Sequence, residues 1–185
     1  AMAAGIGSAG RRGILIKGGV HLEHLGRIRT VAFDKTGTLT IGRPAVTKIV
    51  AHSLDGDDLL GKAASVEHFS QHPLARAIVA MAEQHGLARE PVQDFQSITG
   101  GGAQGTIGSQ RWLIGSPALM REQRIALAAL ETQINALQRE GNTVVVAAMS
   151  GEAVGLIALQ DQLRPEAIDM VGELHRRGLR TAMLT

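Results

Sequence analysis

The sequence predicts an α/β protein in two units, the second inserted into the first. Apolar runs at residues 14–16, 30–33 and 180–184 are joined by helical patterns at 20–26 and 166–177, the layering of an α/β domain. Gly42-Arg43-Pro44 breaks this pattern, and the alternation of Val46, Lys48 and Val50 opens a different segment that runs to about Leu159. The chain carries no internal repeat and no low-complexity run. The resulting bounds are residues 1–42, 43–160 and 161–185.

Taken in order, residues 1–10 are mostly small, broken by Gly and soon followed by Arg11-Arg12, far short of the ~20 apolar residues a spanning helix needs. The charges follow the small-residue run instead of preceding it, which argues against a signal peptide, and a flexible start is the plain alternative for residues 1–10. The run 30–33 places Asp34 at the tip of a buried strand. Residues 57–69 and 73–85 read as a helical pair, with Pro73 at a favoured first-turn position. Strands are expected at 95–98, 103–107, 111–114, 143–149 and 153–159, with a helix at 126–140 and Trp112 in the core. Pro165 cannot continue a strand and can start the last helix.

Composition narrows the function classes. Hydrophobic residues at 44%, charged residues at 19% and a mean hydropathy of +0.07 describe a globular chain, neither disordered nor a membrane bundle. A net charge of +2 supports no nucleic-acid patch. The absence of Cys excludes disulfides and thiolate metal ligands and fits a reducing compartment.

The most informative segment is Asp34-Lys35-Thr36-Gly37-Thr38-Leu39-Thr40. A carboxylate held at a strand tip can attack a terminal phosphate in line, with a positive charge such as Lys35 and a metal ion offsetting the crowded oxygens. Gly37 permits the sharp turn, and the amides and hydroxyls of Thr36 and Thr38 can face phosphate oxygens. The plain alternative is a surface turn, since all four residue types are ordinary turn formers.

This loop resembles the phosphorylation motif of the P-type ATPases. The resemblance implies a partial haloacid-dehalogenase-like, Rossmann-like phosphorylation domain with an inserted α+β nucleotide-binding domain, an antiparallel sheet flanked by helices. It implies Asp34 as the nucleophile that takes the γ-phosphate of ATP, and magnesium held by the Asp34 carboxylate and the Thr36 backbone carbonyl. Thr185 matches the family's phosphate-contacting threonine. Phosphatases of this fold carry an acid–base aspartate two residues after the nucleophile, where this chain has Thr36, so hydrolysis of an acyl phosphate is expected to be slow. The family's later Gly-Asp-Gly magnesium ligand and phosphate-neutralising lysine lie beyond Thr185, so a fragment that turns ATP over poorly is expected.

Two further motifs narrow the resemblance. Glu67 and His72-Pro73-Leu74 lie where one of the paired helices ends and the next begins, a place where a loop is expected to expose both Glu67 and His72; His72 can hydrogen-bond or stack with adenine, and Glu67 can accept from its exocyclic amine. A lone His beside Pro is usually a helix-boundary residue, but together with the aspartate loop this pairing resembles the adenine-recognition signature of the heavy-metal P-type ATPases. In that family a Gly-x-Gly walls the nucleotide pocket, matched here by Gly100 and Gly102, whose missing side chains let backbone amides approach a ligand. Strand pattern on both sides of these glycines argues against a dinucleotide site. Asp161, Arg164 and Pro165 resemble the family's second hinge, and the Ala-rich start running into residues 13–19 resembles the cytosolic exit from a pump's transmembrane helix, which makes residues 1–42 a membrane-exit segment and the first part of the phosphorylation domain.

The implied protein is a pump on the cytoplasmic face of the cell membrane. Its transmembrane and actuator domains are the partners, ATP is the substrate and Mg2+ the cofactor, with no membrane span and no nucleic-acid partner in this chain. The wording around Leu22-Glu23-His24-Leu25-Gly26 looks more like zinc, cadmium and lead exporters than copper ones. A free-standing phosphatase and a catalytically inert nucleotide-binding module are the alternative readings.

Overall fold

Residues 2–184 are described in the computed structural model, apart from the side chain of Thr36. The chain runs α1 (Met2–Arg11), α2 (Gly19–Leu25), β1 (Thr30–Asp34), a π-helical turn (Lys35–Leu39), β2 (Thr40–Ala51), α3 (Gly56–Glu67), α4 (Pro73–Gln84) and β3 (Gln93–Ile98). It continues through β4 (Gly102–Ile107), β5 (Gln110–Gly115), α5 (Pro117–Glu122), α6 (Glu131–Arg139), β6 (Thr143–Met149), β7 (Glu152–Leu163), α7 (Pro165–Arg176) and β8 (Arg180–Leu184). The crossings between Ile41 and Gly42 and between Gln162 and Leu163 separate a first unit, made from both ends of the chain, from a second, Gly42–Gln162.

In the first unit β1 and β8 pair in parallel, from Thr30 opposite Arg180 to Asp34 opposite Leu184. Residues 2–11 form α1 where the plain alternative was a flexible start, because Met and Ala are strong helix formers and α2 packs on it where Gly5 leaves room for Leu22. One expectation fails here. Residues 14–16 form no strand: Gly13, at φ +75°, closes α1 with bonds from Ile14 N to Ala9 O (3.0 Å) and Gly13 N to Gly10 O (3.0 Å). This helix-ending turn points the chain outward and leaves Leu15 84% exposed, with no strand to pair.

The second unit is a six-stranded sheet in the order β2-β7-β6-β5-β4-β3, antiparallel from β3 to β7. Helices α3 and α4 bury Leu59, Leu60, Val66 and Ile78 with Trp112 and Ile157 on one face. On the other, α5 and α6 bury Leu119, Met120, Ile134 and Leu137 with Val146 and Leu156. Covered on both faces, β6 reads as an unbroken apolar run, Val144 to Ala148.

Local chemistry sets the helix starts. Asp55 accepts from Asp57 N at 3.1 Å to cap α3, and His72 and Ser116 cap α4 and α5 immediately before Pro73 and Pro117. The Ser116-Pro117 pair marks α5, an element absent from the sequence reading. The expected helix at 126–140 begins only at Glu131, because residues before it fold as turns that bury Ile125, Leu127 and Leu130. Strand β2 runs through Pro44, which the ladder tolerates because β2 lies at the sheet edge.

Gly155 tests the packing of α3 on the sheet. A Cβ there would lie 2.5 Å from Leu59 Cδ2 and 2.7 Å from the Val50 carbonyl oxygen, so Gly155→Ala is expected to cost about 1–3 kcal/mol in urea denaturation. An unchanged midpoint would contradict this packing.

Candidate functional site

Glu67, His72, Gly100 and Gly102 line one cleft of about 170 Å³ in the second unit. Glu67 ends α3, and the loop after it is bonded to itself: Ser70 N donates to Glu67 O (2.9 Å) and His72 N to Ser70 Oγ (3.3 Å). His72 Nδ1 accepts from Leu74 N at 3.2 Å, which in the neutral ring leaves the proton on Nε2 as a free donor. Opposite stands the β3–β4 turn, Ser97 to Gly102, and β6 supplies Thr143, Val144 and Val145. Apolar walls with a few converging polar groups suit a flat heterocycle. Ser97, Thr99, Ser116 and Thr143 are lining residues the sequence reading missed, since no local spacing marks them and only the sheet order gathers them.

Against the expectation that a loop exposes it, Glu67 is only 7% exposed, because it still belongs to the last turn of α3. Burial pushes its carboxyl up from the usual 4.5 to about 7, against the opposing effect of a hydrogen bond to Ser70. Near neutral pH it can therefore present either a donor or an acceptor to the cleft.

Backbone packing gives glycine a further reason at this turn. A Cβ on Gly102 would stand 2.0 Å from the Ile114 carbonyl oxygen, and one on Gly115 2.5 Å from the Gly101 carbonyl oxygen, so close backbone packing across β4 and β5 excludes side chains there. Gly100, at φ +72°, serves the turn, and a Cβ on it would meet open space.

In the first unit Asp34 is exposed at the end of β1, with Lys35 and the Thr36 backbone in the turn that follows. Thr40, 2% exposed, braces that turn: its Oγ1 donates to Lys35 O (3.1 Å) and accepts from Gly37 N (3.2 Å), where Gly37 has φ +80°. Arg164 adds a second brace, Nη2 to Gly37 O (3.1 Å) and backbone N to Leu39 O (2.8 Å). Beyond its position at the chain crossing, Arg164 thus holds the aspartate loop in shape. Asp161 lies in β7, Pro165 opens α7, and Thr185 lies outside the described residues. The Asp34 carboxylate and turn carbonyls are oxygen donors, the kind a hard cation such as Mg2+ prefers. Among the described residues no group of three His, Asp or Glu side chains is placed to hold a metal.

A profile described as haloacid dehalogenase-like hydrolase matches residues 28–185. The chain is 40% identical over 187 residues to a manganese-exporting P-type ATPase of Mycobacterium tuberculosis, covering 100% of this chain and 26% of the relative. It is 40% identical to a cadmium-transporting ATPase of Staphylococcus aureus, covering 97% and 26%. Among solved structures, a zinc-transporting PIB-type ATPase in its E2.Pi state superposes with a TM-score of 0.83 at 40% identity, covering 100% of this chain and 30% of that one. The catalytic domain of the CPx-ATPase CopB-B, solved to follow conformational changes on nucleotide binding, gives 0.71 at 28% identity, covering 96% and 60%. The chain spans about a quarter of the length of the curated relatives it matches.

Two predictions follow from the cleft. Because the folded state holds the Glu67 proton more tightly than the unfolded chain, stability is greatest below pH 4.5 as far as this group is concerned and falls as pH rises to about 7. Glu67→Gln should match the wild type at pH 4 and exceed it by on the order of 3 kcal/mol above pH 7 in urea denaturation; identical pH profiles would sink the assignment. Gly102→Ala should cost about 2–4 kcal/mol with no ligand present, whereas Gly100→Ala should cost only about 1–2 kcal/mol. Equal costs at the two positions would contradict the packing described.

Proposed function

We propose, for a chain that belongs to the haloacid dehalogenase-like hydrolase family, that it is the ATP-binding and aspartyl-phosphorylation region of a heavy-metal-exporting P-type ATPase. The observation that carries the reading is the convergence of Glu67, His72 and the Gly100–Gly102 turn on one cleft, in a chain that also presents Asp34 on a braced loop. The cleft takes the adenine end of ATP. His72 Nε2 donates to a ring nitrogen, Glu67 meets the exocyclic amine, and the apolar walls at Leu74, Ile98 and Val144 exclude water from the base.

The Asp34 carboxylate attacks the γ-phosphorus, forming an acyl phosphate as the bond to the bridging oxygen breaks and ADP leaves. Mg2+, held by Asp34 and the Thr36 carbonyl, would neutralise phosphate charge when bound. Thr40 and Arg164 keep the turn in a single conformation, so that Asp34 need not be ordered during the reaction. With Thr36 in place of a second carboxylate, no acid–base group two residues on from the nucleophile assists water, so the phosphoenzyme persists. A free phosphatase needs that carboxylate and has no use for the cleft.

In the whole protein the region lies on the cytoplasmic face of the membrane beside transmembrane and actuator domains. No helix of the described residues is long and apolar enough to cross a membrane. The cargo is a divalent metal of the class named for the relatives, manganese, cadmium or zinc, which widens the zinc, cadmium and lead expectation.

Calorimetric titration of ATP into the purified chain tests the reading. Saturable binding is expected, weakened at least about tenfold by His72→Ala and unchanged by Asp34→Asn. A folded wild-type chain that binds no ATP would overturn it.

A further inference from the structure

We propose that Phe69 is a positioning residue that sets the width of the nucleotide cleft by tying the α3–α4 loop to β3. This rests on the nucleotide-cleft reading above. The cleft has two walls with separate origins, the loop that carries Ser70 and His72 and the β3–β4 turn that carries Ser97 to Gly102. Among the described residues, the hydrogen bonds of the 69–72 segment stay within the loop and the first turns of its helices, including Arg76 Nη2 to Gln71 Oε1 at 2.7 Å. They stiffen the loop but do not hold it against the opposite wall.

The Phe69 ring makes that link. It lies 5.2 Å from the Phe95 ring between centroids, tilted by 39°. Phe95 is half-buried against the α3–α4 core and sits on β3 two residues before Ser97. The contact therefore joins the walls just outside the lining, between Phe69, one residue before Ser70, and Phe95, two before Ser97. His68 extends the cluster, edge-on to Phe69 at 5.3 Å and 2.6 Å from Arg89 Nη1, on the segment that leads into β3.

Phe69 is 50% exposed and is not among the cleft-lining residues. A ring so placed adds little to the core and cannot stack on the base. What it supplies is preorganisation: without it, the loop must be ordered against β3 when nucleotide binds, at the expense of affinity. The chain has only 3 Phe and no Tyr, and two of the 3 are paired here.

The test compares ATP binding and thermal melting for the wild type, Phe69→Ala, Phe69→Tyr and His72→Ala. Phe69→Ala is expected to raise the ATP Kd about three- to tenfold with little change in melting temperature, and Phe69→Tyr, which keeps the ring pair, to restore wild-type affinity. If His72→Ala abolishes binding while Phe69→Ala binds like the wild type, the cleft reading stands and this inference falls. Phe69→Tyr as weak as Phe69→Ala would also overturn it, since the ring would then not be the operative feature. If the wild type binds no ATP, the cleft reading itself fails and this one with it.

Discussion

The backbone of the β3–β4 turn lies against the end of β5 at a distance that only glycine permits. Gly102 faces the Ile114 carbonyl and Gly115 faces Gly101, and the Ser116 amide closes the contact with a 2.9 Å bond to Gly101 O. Much of the second unit depends on this approach. It curls the turn over the sheet to make one wall of the cleft, and it delivers Ser116 to the position from which it caps α5. From there Leu119 and Met120 enter the core on that face. Cleft and core are consequences of one steric condition.

The opposite wall is built by different means. Where α3 ends and α4 begins, the chain reverses through an exposed loop in which the amides of His72 and Leu74 donate to the Ser70 and His72 side chains. Burial at the end of α3 costs Glu67 its ordinary acidity, because a carboxylate loses hydration there with a hydrogen bond to Ser70 to offset it. A carboxyl that holds its proton more tightly than usual follows from where the end of α3 places it.

The first unit shows the same economy on a smaller scale. Asp34 is exposed, and the turn that follows it is shaped from behind. Thr40 does this locally and Arg164 from the far end of the chain, both through backbone groups of the turn and neither through a bond to Asp34. The turn is thereby shaped while the Asp34 carboxylate stays exposed.

Features that arise from neighbours in the chain are legible in the residues. The strand before Asp34, the caps at His72-Pro73 and the unbroken apolar run of β6 follow from dihedral preference, capping and periodicity, and the meeting of Glu67, His72, Gly100 and Gly102 at one cleft was open to reading through motif order. Features that arise between distant residues were not. The brace from Arg164 to Gly37 spans 127 positions, the ring pair at Phe69 and Phe95 joins two elements, and Ser97, Ser116 and Thr143 meet only because β3, β4, β5 and β6 lie in that order. Residues 14–16 make the converse point, since an apolar run becomes a strand only if another strand is there to bond it, and none is. Propensity and spacing act over a few residues, while burial, proton affinity and close approach are set by whatever the fold brings alongside.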